Sequence, residues 1–128
     1  MDPKRAALMG RVRQKGTEPE LRLRQAVTRA GGRYRCNVRS IPGWPDLANQ
    51  RARVAVFVDG CFWHGCPQHF TLPKTRSEYW KAKISRNKAR RAAVRVALAD
   101  WTVFEFFECD LRESVTSAAA TVAKALRQ

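Results

Sequence analysis

The segment from Arg53 to Asp59 constrains the fold of this chain more than any other. Its interior, Val54-Ala55-Val56-Phe57-Val58, is an unbroken apolar run rich in β-branched residues, with a charged residue on either side. A strand with one face in water would alternate apolar and polar residues, so this run predicts a strand that is covered on both faces. We therefore expect a central strand between two packed layers.

Helical and extended patterns around this strand predict the remaining elements. A first helix is expected to begin in a capping box, Thr17-Glu18-Pro19-Glu20, and to end at Gly31-Gly32. Alternation over 33–38 predicts a strand with Cys36 on its buried face. The other predicted elements are a turn over 41–43, strands over 46–49 and 101–107, a helix over 76–99 with a second capping box at Thr75 and Glu78, and a helix over 114–126.

The order of these elements predicts an α/β fold in a single domain, with a mixed β-sheet flanked by helices. A chain of 128 residues has room for one hydrophobic core of this kind. Residues 1–16 are rich in basic side chains and show no persistent apolar period. We therefore expect a basic N-terminal arm over 1–16, followed by one domain over 17–128.

The charge of the chain indicates a nucleic-acid partner. Lys and Arg number 25 against 11 Asp and Glu, which gives a net charge of +14. Basic side chains that meet a phosphate backbone release condensed counterions and supply affinity independent of base sequence. An acidic membrane surface fits less well, because the basic residues are spread over the whole chain and no apolar run could span a bilayer. The N-terminal residues lack the apolar core of a secretory signal, so a cytoplasmic location is expected.

Two aspartates bracket the pair of strands at the centre of the sequence. Asp46 follows Pro45 at the start of one predicted strand, and Asp59 ends the next strand thirteen residues later. Adjacent antiparallel strands bring such positions together, and Mg²⁺ prefers oxygen ligands of this kind when it polarises a phosphodiester. Aspartate after proline is also a common turn residue, so the pair has a purely structural alternative.

Cysteine and histidine are concentrated just after the central strand. Cys61, Cys66 and His69 have a spacing suited to one tetrahedral Zn²⁺, and Cys109 is a candidate fourth ligand. Buried free thiols are the alternative. His64 falls between the two cysteines, where it is either a general base for hydrolytic water or the zinc ligand in place of His69.

Several motifs, taken together, resemble the very short patch repair (Vsr) endonucleases. They occur in the family's order along nearly the entire chain: Thr17-Glu18-Pro19-Glu20, Pro42-Gly43-Trp44-Pro45-Asp46, Phe57-Val58-Asp59-Gly60-Cys61-Phe62-Trp63-His64, Thr75-Arg76-Ser77-Glu78-Tyr79-Trp80 and Phe107-Glu108-Cys109. The resemblance implies a fold related to the PD-(D/E)xK restriction endonucleases. It also implies an enzyme that nicks DNA beside a T·G mismatch.

The resemblance further implies roles for individual residues. Asp46 would bind catalytic Mg²⁺ close to the backbone carbonyl of Val58, and His64 would act on the attacking water. Glu20 matches a family glutamate near the active site, with the capping box as a compatible structural role. The best-known members carry histidine at the position of Asp59, which leaves its role open between second metal ligand and base.

The resemblance assigns other residues to DNA contact. Phe62, Trp63 and Trp80 match aromatic residues that enter the base stack beside the mismatch, although aromatic residues are also common in cores. Met9 and Val12 fall where the family's N-terminal arm reaches into a groove. Asn87 is polar on an otherwise core-directed helix face and is expected to reach the active site or the DNA backbone.

These features favour a Mg²⁺-dependent mismatch endonuclease that acts on double-stranded DNA as a monomer, with downstream repair proteins as further partners. A monomer is expected because a mismatch offers no two-fold symmetric site. One alternative is a restriction or defence nuclease that cuts intact or modified DNA. Another is a zinc-stapled DNA-binding module without catalytic activity.

Overall fold

Three helices and four strands make up the described part of this α/β chain, and three of the strands follow one another after the first helix. The computed structural model describes residues 17–61, 65–68 and 71–127, so the predicted arm over 1–16 lies outside the described residues. No helix in these ranges is long and apolar enough to cross a membrane. The elements are α1 (Glu18–Arg29), β1 (Arg35–Cys36), β2 (Leu47–Asn49), β3 (Val54–Asp59), α2 (Ser77–Ala97), β4 (Thr102–Phe107) and α3 (Glu108–Leu126).

The strands form one mixed sheet in the order β1-β2-β3-β4. β2 pairs antiparallel with both β1 and β3, whereas β3 and β4 are parallel. Val56 sits at the centre of the ladder, opposite Leu47 on one side and Phe104 on the other. Parallel neighbours need a long crossover, and α2 supplies it. The predicted mixed sheet in a single α/β domain is confirmed.

The central strand is buried on both faces, as its apolar run predicts. All of its residues are buried. Val54, Val56 and Val58 pack into a cluster with residues of α1 and α3. Ala55 and Phe57 pack into a second cluster that includes Leu98 at the end of α2. Two helices therefore cover one face of the sheet and one helix covers the other.

The last helix begins six residues earlier than predicted, at Glu108 instead of Ser114. The backbone N–H of Phe107 donates a hydrogen bond to the Asp110 carboxylate at 2.8 Å, which caps the new helix start. Ser114 itself has non-helical angles, φ −153° and ψ 73°, and marks a kink within α3. The turn before the kink holds one buried apolar residue, Leu111, so it shows no apolar period.

Both predicted capping boxes are wrong. Thr17 is the N-cap of α1, but its side chain makes no capping hydrogen bond, and Glu20 is paired with Arg24 instead. The N-cap of α2 is Arg76, in a left-handed conformation, and it too makes no side-chain capping bond. A proline near the start of α1 and acidic residues in its first turn stabilise the start of this helix in the absence of a capping box.

The predicted burial of Cys36 is also wrong. Its strand is only two residues long and lies at the edge of the sheet, and Cys36 is exposed. The alternating pattern correctly predicts a strand at Cys36, but no other element packs over this short edge strand in the described part of the chain.

The helices place the start of α1 at the carboxyl end of β3. Arg127, just after α3, donates to the carbonyl oxygen of Ala30 at 2.6 Å, so the last turns of α1 and α3 meet. α3 begins directly after β4, whose last residue pairs with Asp59. The first turn of α1 therefore lies at the same end of the sheet as the end of β3. The start of β2 lies there too, because β2 is antiparallel to β3.

Candidate active site

Buried acidic side chains are concentrated at this end of the sheet. Among the described residues, the buried polar or charged ones are Glu20, Asp46 and Asp59, with exposed fractions of 1%, 2% and 7%. Burying a carboxylate is costly unless hydrogen bonds or an ion pair compensate it. The sequence predicts all three as site residues, and the topology brings them to one end of the fold. Their compensating partners differ and suggest different roles.

Asp46 is fixed to the central strand by its main chain and its side chain. Its N–H donates to the carbonyl of Val56 at 2.9 Å, and its carboxylate oxygen Oδ2 accepts from the N–H of Val58 at 2.6 Å. Its own carbonyl accepts from Asn37 at 3.0 Å. A carboxylate held by a backbone donor is pre-positioned, because its rotamer is locked before any ligand arrives.

Asp59 forms a two-pronged ion pair with Arg91 of α2. The two terminal guanidinium nitrogens donate to the two carboxylate oxygens, each at 2.8 Å. The guanidinium carbon also lies 4.1 Å from the centroid of the Phe57 ring. Both partners are largely buried, with side-chain exposures of 12% for Arg91 and 9% for Asp59. Strand β3 and helix α2 are thus joined by a desolvated ion pair with matched planar geometry.

A second ion pair extends this contact. Glu105 of β4 lies 3.6 Å from Arg91 and accepts two hydrogen bonds from Arg95, at 2.6 and 2.7 Å. Burial acts to raise the pKa of Glu105, but the hydrogen bond and charge of Arg95, together with Arg91, outweigh it and lower that pKa. Sequence reasoning did not identify Arg91 as a site residue. The signal was a charged residue among Ile84, Val94 and Leu98.

A cleft of about 420 Å³ opens beside these ion pairs. It lies between α2 and the carboxyl ends of β3 and β4. Its lining holds three basic side chains and two acidic ones, and this basic excess suits an anionic ligand such as a phosphate group. The residues around it include Asp59, Gly65, Lys88, Arg91, Arg95 and Phe107.

Three of the four cysteines converge at the same end of the sheet. The sulfurs of Cys61, Cys66 and Cys109 lie within 4.8 Å of one another, and those of Cys66 and Cys109 are 3.6 Å apart. A turn closed by the Cys66 N–H and the Cys61 carbonyl, at 2.9 Å, brings the first two together. Cys109 comes from the first turn of α3. The structure brings these three cysteines together, and the cluster could hold a metal ion.

Gly65 is required for this turn. Its φ of +62° is unfavourable for other residues, and an added Cβ would lie 2.7 Å from the Lys88 side chain and 2.9 Å from Ile84. The turn that carries the cysteines is therefore pressed against α2.

Burial favours the neutral thiol form of Cys61 and Cys109 when no cation is bound. Burial, followed by the sulfurs of Cys66 and Cys61, raises the pKa of Cys109 to about 12. Burial is also the main reason why the pKa of Cys61 is raised. A metal cation would offset the charge of the thiolates that ligate it.

Glu20 lies on the inner face of α1, with Leu23 and Val27. Its carboxylate pairs with Arg24 one turn later. The Nε of Arg24 is buried, and no described residue accepts its hydrogen. The pair brings a third acidic and basic combination to the end of the sheet where Asp46 lies.

The remaining predicted site residues are only partly described. Trp80 is 7% exposed and packs edge-to-face with Tyr79, at 5.0 Å between ring centroids. Asn87 is half-buried on α2, one turn before Arg91. The other predicted contacts lie outside the described residues: Met9, Val12, Phe62, Trp63, His64 and His69.

Comparisons of the sequence with a family profile and with known proteins agree on one family. A profile of the family described as DNA mismatch endonuclease Vsr matches residues 1–69. A type II nicking enzyme, V.NmeDIP, of Neisseria meningitidis serogroup C is 42% identical over 119 residues, which cover 90% of this chain and 80% of the relative. A second one, V.XorIIP of Xanthomonas oryzae pv. oryzae, is 39% identical over 113 residues, with coverages of 86% and 83%.

The DNA mismatch endonuclease Vsr of Escherichia coli K12 is 35% identical over 122 residues, which cover 91% of this chain and 78% of that protein. Similarity on this scale, over most of both chains, decides against a DNA-binding module without catalytic activity. The buried acidic residues, with Cys61 and Cys66, lie within the residues that the family profile matches, and Cys109 lies beyond them. The chain belongs to the Vsr family of DNA mismatch endonucleases and is an enzyme that cleaves phosphodiester bonds in DNA.

Proposed function

We propose that this enzyme is a Mg²⁺-dependent endonuclease that nicks one DNA strand beside a base mismatch, with T·G as the preferred mismatch. The observation that carries the proposal is the fixed, buried carboxylate of Asp46 at the end of the sheet where Glu20 and Asp59 also lie. Single-strand cleavage is supported by relatives named as nicking enzymes, and mismatch recognition by the name of the Escherichia coli relative.

Asp46 and Val58 form a suitable pair of oxygen donors for Mg²⁺. The Asp46 carboxylate is anchored through the N–H of Val58, which brings it to the residue whose carbonyl is the second proposed donor. Mg²⁺ is commonly held by one or two protein oxygens, with waters and phosphate completing its octahedron. Bound there, it would polarise the phosphodiester and lower the pKa of the attacking water.

The other acidic residues and His64 complete the proposed mechanism. His64 accepts a proton from the attacking water as general base. Both carboxylate oxygens of Asp59 are engaged by Arg91, which favours a role in holding Arg91 over direct metal ligation. Glu20 and Arg24 place opposite charges near the scissile phosphate, where Arg24 is suited to contact phosphate oxygens.

The cysteine cluster fits a structural Zn²⁺. Zn–S bonds of about 2.3 Å in a tetrahedron place sulfurs about 3.8 Å apart, close to the 3.6 Å between Cys66 and Cys109. The proposed fourth ligand is His69, with His64 as the alternative. Zn²⁺ would tie the turn after β3 to the start of α3 and thereby hold the segment between Cys61 and Cys66.

Mismatch recognition is assigned to aromatic residues beside this turn. We place Phe62 and Trp63 in the base stack, where entry costs least at a step already weakened by a mismatch. Trp80, which is buried on α2, is proposed as the third residue of the wedge. Met9, Val12 and Asn87 are proposed to contact DNA, and the enzyme is proposed to act as a monomer.

Cleavage of end-labelled duplexes tests this function. Matched, T·G, A·C and G·G duplexes of one flanking sequence are incubated with the protein in Mg²⁺ or in EDTA and resolved on denaturing gels, with each strand labelled in turn. We expect one nick, on the thymine strand of the T·G duplex, in Mg²⁺ alone. Equal cutting of matched duplex would instead support a restriction or defence nuclease.

A further inference from the structure

Trp44 combines two unfavourable features close to the active site. Its side chain is 54% exposed, more than that of any other aromatic residue in the described part of the chain. Its backbone is left-handed, with φ at +52°. A bulky residue in that region is strained, and glycine or asparagine would adopt the same turn more easily. An exposed indole on a strained backbone contributes little to folding, so a contact outside the chain is the better explanation.

The hairpin that carries Trp44 is held in place by several contacts. The Trp44 N–H donates to the carbonyl of Ile41 at 3.1 Å, and the next carbonyl, of Pro45, accepts from Val38 at 3.1 Å. Gly43 packs so closely against α2 that an added Cβ would lie 2.8 Å from the Val94 side chain. The indole is therefore presented from a fixed support.

Arg39, on the other side of the same hairpin tip, adds a positive charge to this surface. Its guanidinium carbon lies 5.2 Å from the centroid of the Trp44 ring, and Arg39 is itself exposed. The pair thus presents a flat apolar ring and a cation side by side. Asp46 is two residues from Trp44, which limits the distance between their Cα atoms to about 7 Å.

We infer that Trp44 and Arg39 form a DNA-contacting platform at the rim of the active site. The indole stacks on a nucleobase of the DNA near the cut phosphodiester, and the guanidinium pairs with a backbone phosphate. DNA is the expected partner because it offers a nucleobase for the ring and a phosphate for the neighbouring cation. The net charge of +14 of the chain also favours DNA. The inference rests on the proposed function only in that DNA is the substrate, and it does not depend on mismatch preference.

Binding measurements without divalent cation test the platform. The anisotropy of a fluorescent duplex, matched or T·G, is followed across a salt series in EDTA, and each variant is also melted. Trp44→Gly should lose about 10-fold in affinity, as the loss of one stacked base implies, with an unchanged salt slope. Its melting temperature should equal or exceed that of the wild type, because glycine relieves the left-handed backbone. Arg39→Gln should instead lower the salt slope by about one.

Two further variants keep the result interpretable. Trp44→Phe retains a stacking ring and should recover most of the affinity. Val96→Ala removes a side chain that is 77% exposed on α2 and should bind as the wild type does. Wild-type affinity in Trp44→Gly, or a loss that Trp44→Phe does not reduce, would overturn the inference. Failure of mismatch-specific nicking would leave these binding results unchanged and so count against the proposed function alone.

Discussion

The carboxylate of Asp46 and the backbone N–H of Val58 are joined by a hydrogen bond of 2.6 Å that links two strands at the edge of the active site. The contact serves folding and chemistry together. It satisfies a buried carboxylate, and it fixes that carboxylate beside the carbonyl proposed to share its metal ion. Substitutions at Asp46 that keep or remove this hydrogen bond should therefore separate the two roles.

Asp46→Asn should abolish nicking and leave the fold intact. The amide oxygen can still accept from Val58, but a neutral side chain holds Mg²⁺ poorly. Asp46→Ala should also be inactive and, in addition, should be less stable by about 1–3 kcal/mol, because the N–H of Val58 loses its acceptor. Nicking, duplex affinity and urea unfolding are measured, with the exposed Asp100→Asn as control. Nicking by Asp46→Asn at any Mg²⁺ concentration would contradict the assigned role.

Arg91→Ala should destabilise the fold by about 3–5 kcal/mol, because it leaves the buried carboxylate of Asp59 without its partner. Arg95→Ala is the matched control on the same helix, since its side chain is 56% exposed and its ion pair should contribute less than about 1 kcal/mol. Urea unfolding measures both. Equal losses in the two variants would show that the Asp59–Arg91 pair contributes no more than a surface contact.

One zinc ion per chain is expected, and its loss should lower thermal stability. Cys66→Ser and Cys109→Ser should reduce zinc content and melting temperature together, because the metal contributes folding free energy. Cys36→Ser is the control, since Cys36 is exposed and lies outside the cluster. Elemental analysis and melting curves, with and without chelator, provide the measurements. Folded wild-type protein without bound zinc would refute the assignment.

Glu105 should make stability depend on pH on the acid side. Its pKa lies below the ordinary value of 4.5 in the folded chain, since Arg95 and Arg91 outweigh the effect of burial. As pH falls, Glu105 therefore takes up a proton at a higher pH in the unfolded chain than in the folded chain. The ion pairs of Glu105 contribute their full stabilisation above pH 4.5, and this contribution is lost as pH falls through the pKa of Glu105 in the folded chain. Urea unfolding from pH 6 to pH 3 should show a shallower decline for Glu105→Gln than for the exposed control Glu113→Gln. Parallel declines would contradict the prediction.

Sequence patterns predicted best the element that is buried on both faces of the sheet. The apolar run of β3 indicated a central strand, and the structure buries all of it. Cys36 shows the limit of this reasoning, because alternation indicates a side of a strand but not whether anything covers that side. The early start of α3 was missed for a related reason: a capping contact between Phe107 and Asp110 creates it, without an apolar period.

The candidate site was predictable where its residues are adjacent in sequence or belong to a recognisable motif. Asp46 and the cysteines are of this kind. The Asp59–Arg91 pair is not, because its members are 32 residues apart and meet only after α2 crosses the sheet. Its position among apolar residues marks Arg91 on α2, but nothing in the sequence identifies Asp59 as its partner.

The contact between Cys66 and Cys109 also bears on how the chain unfolds. These residues are 43 positions apart, and the segment between them contains all of α2 and β4. A metal that binds both acts as a cross-link, and closing a loop of this length would lower the entropy of the unfolded chain by the equivalent of about 4 kcal/mol if the link were covalent. Removal of the metal is therefore expected to release this constraint and to favour unfolding, and faster protease cleavage between residues 66 and 109 should report that effect.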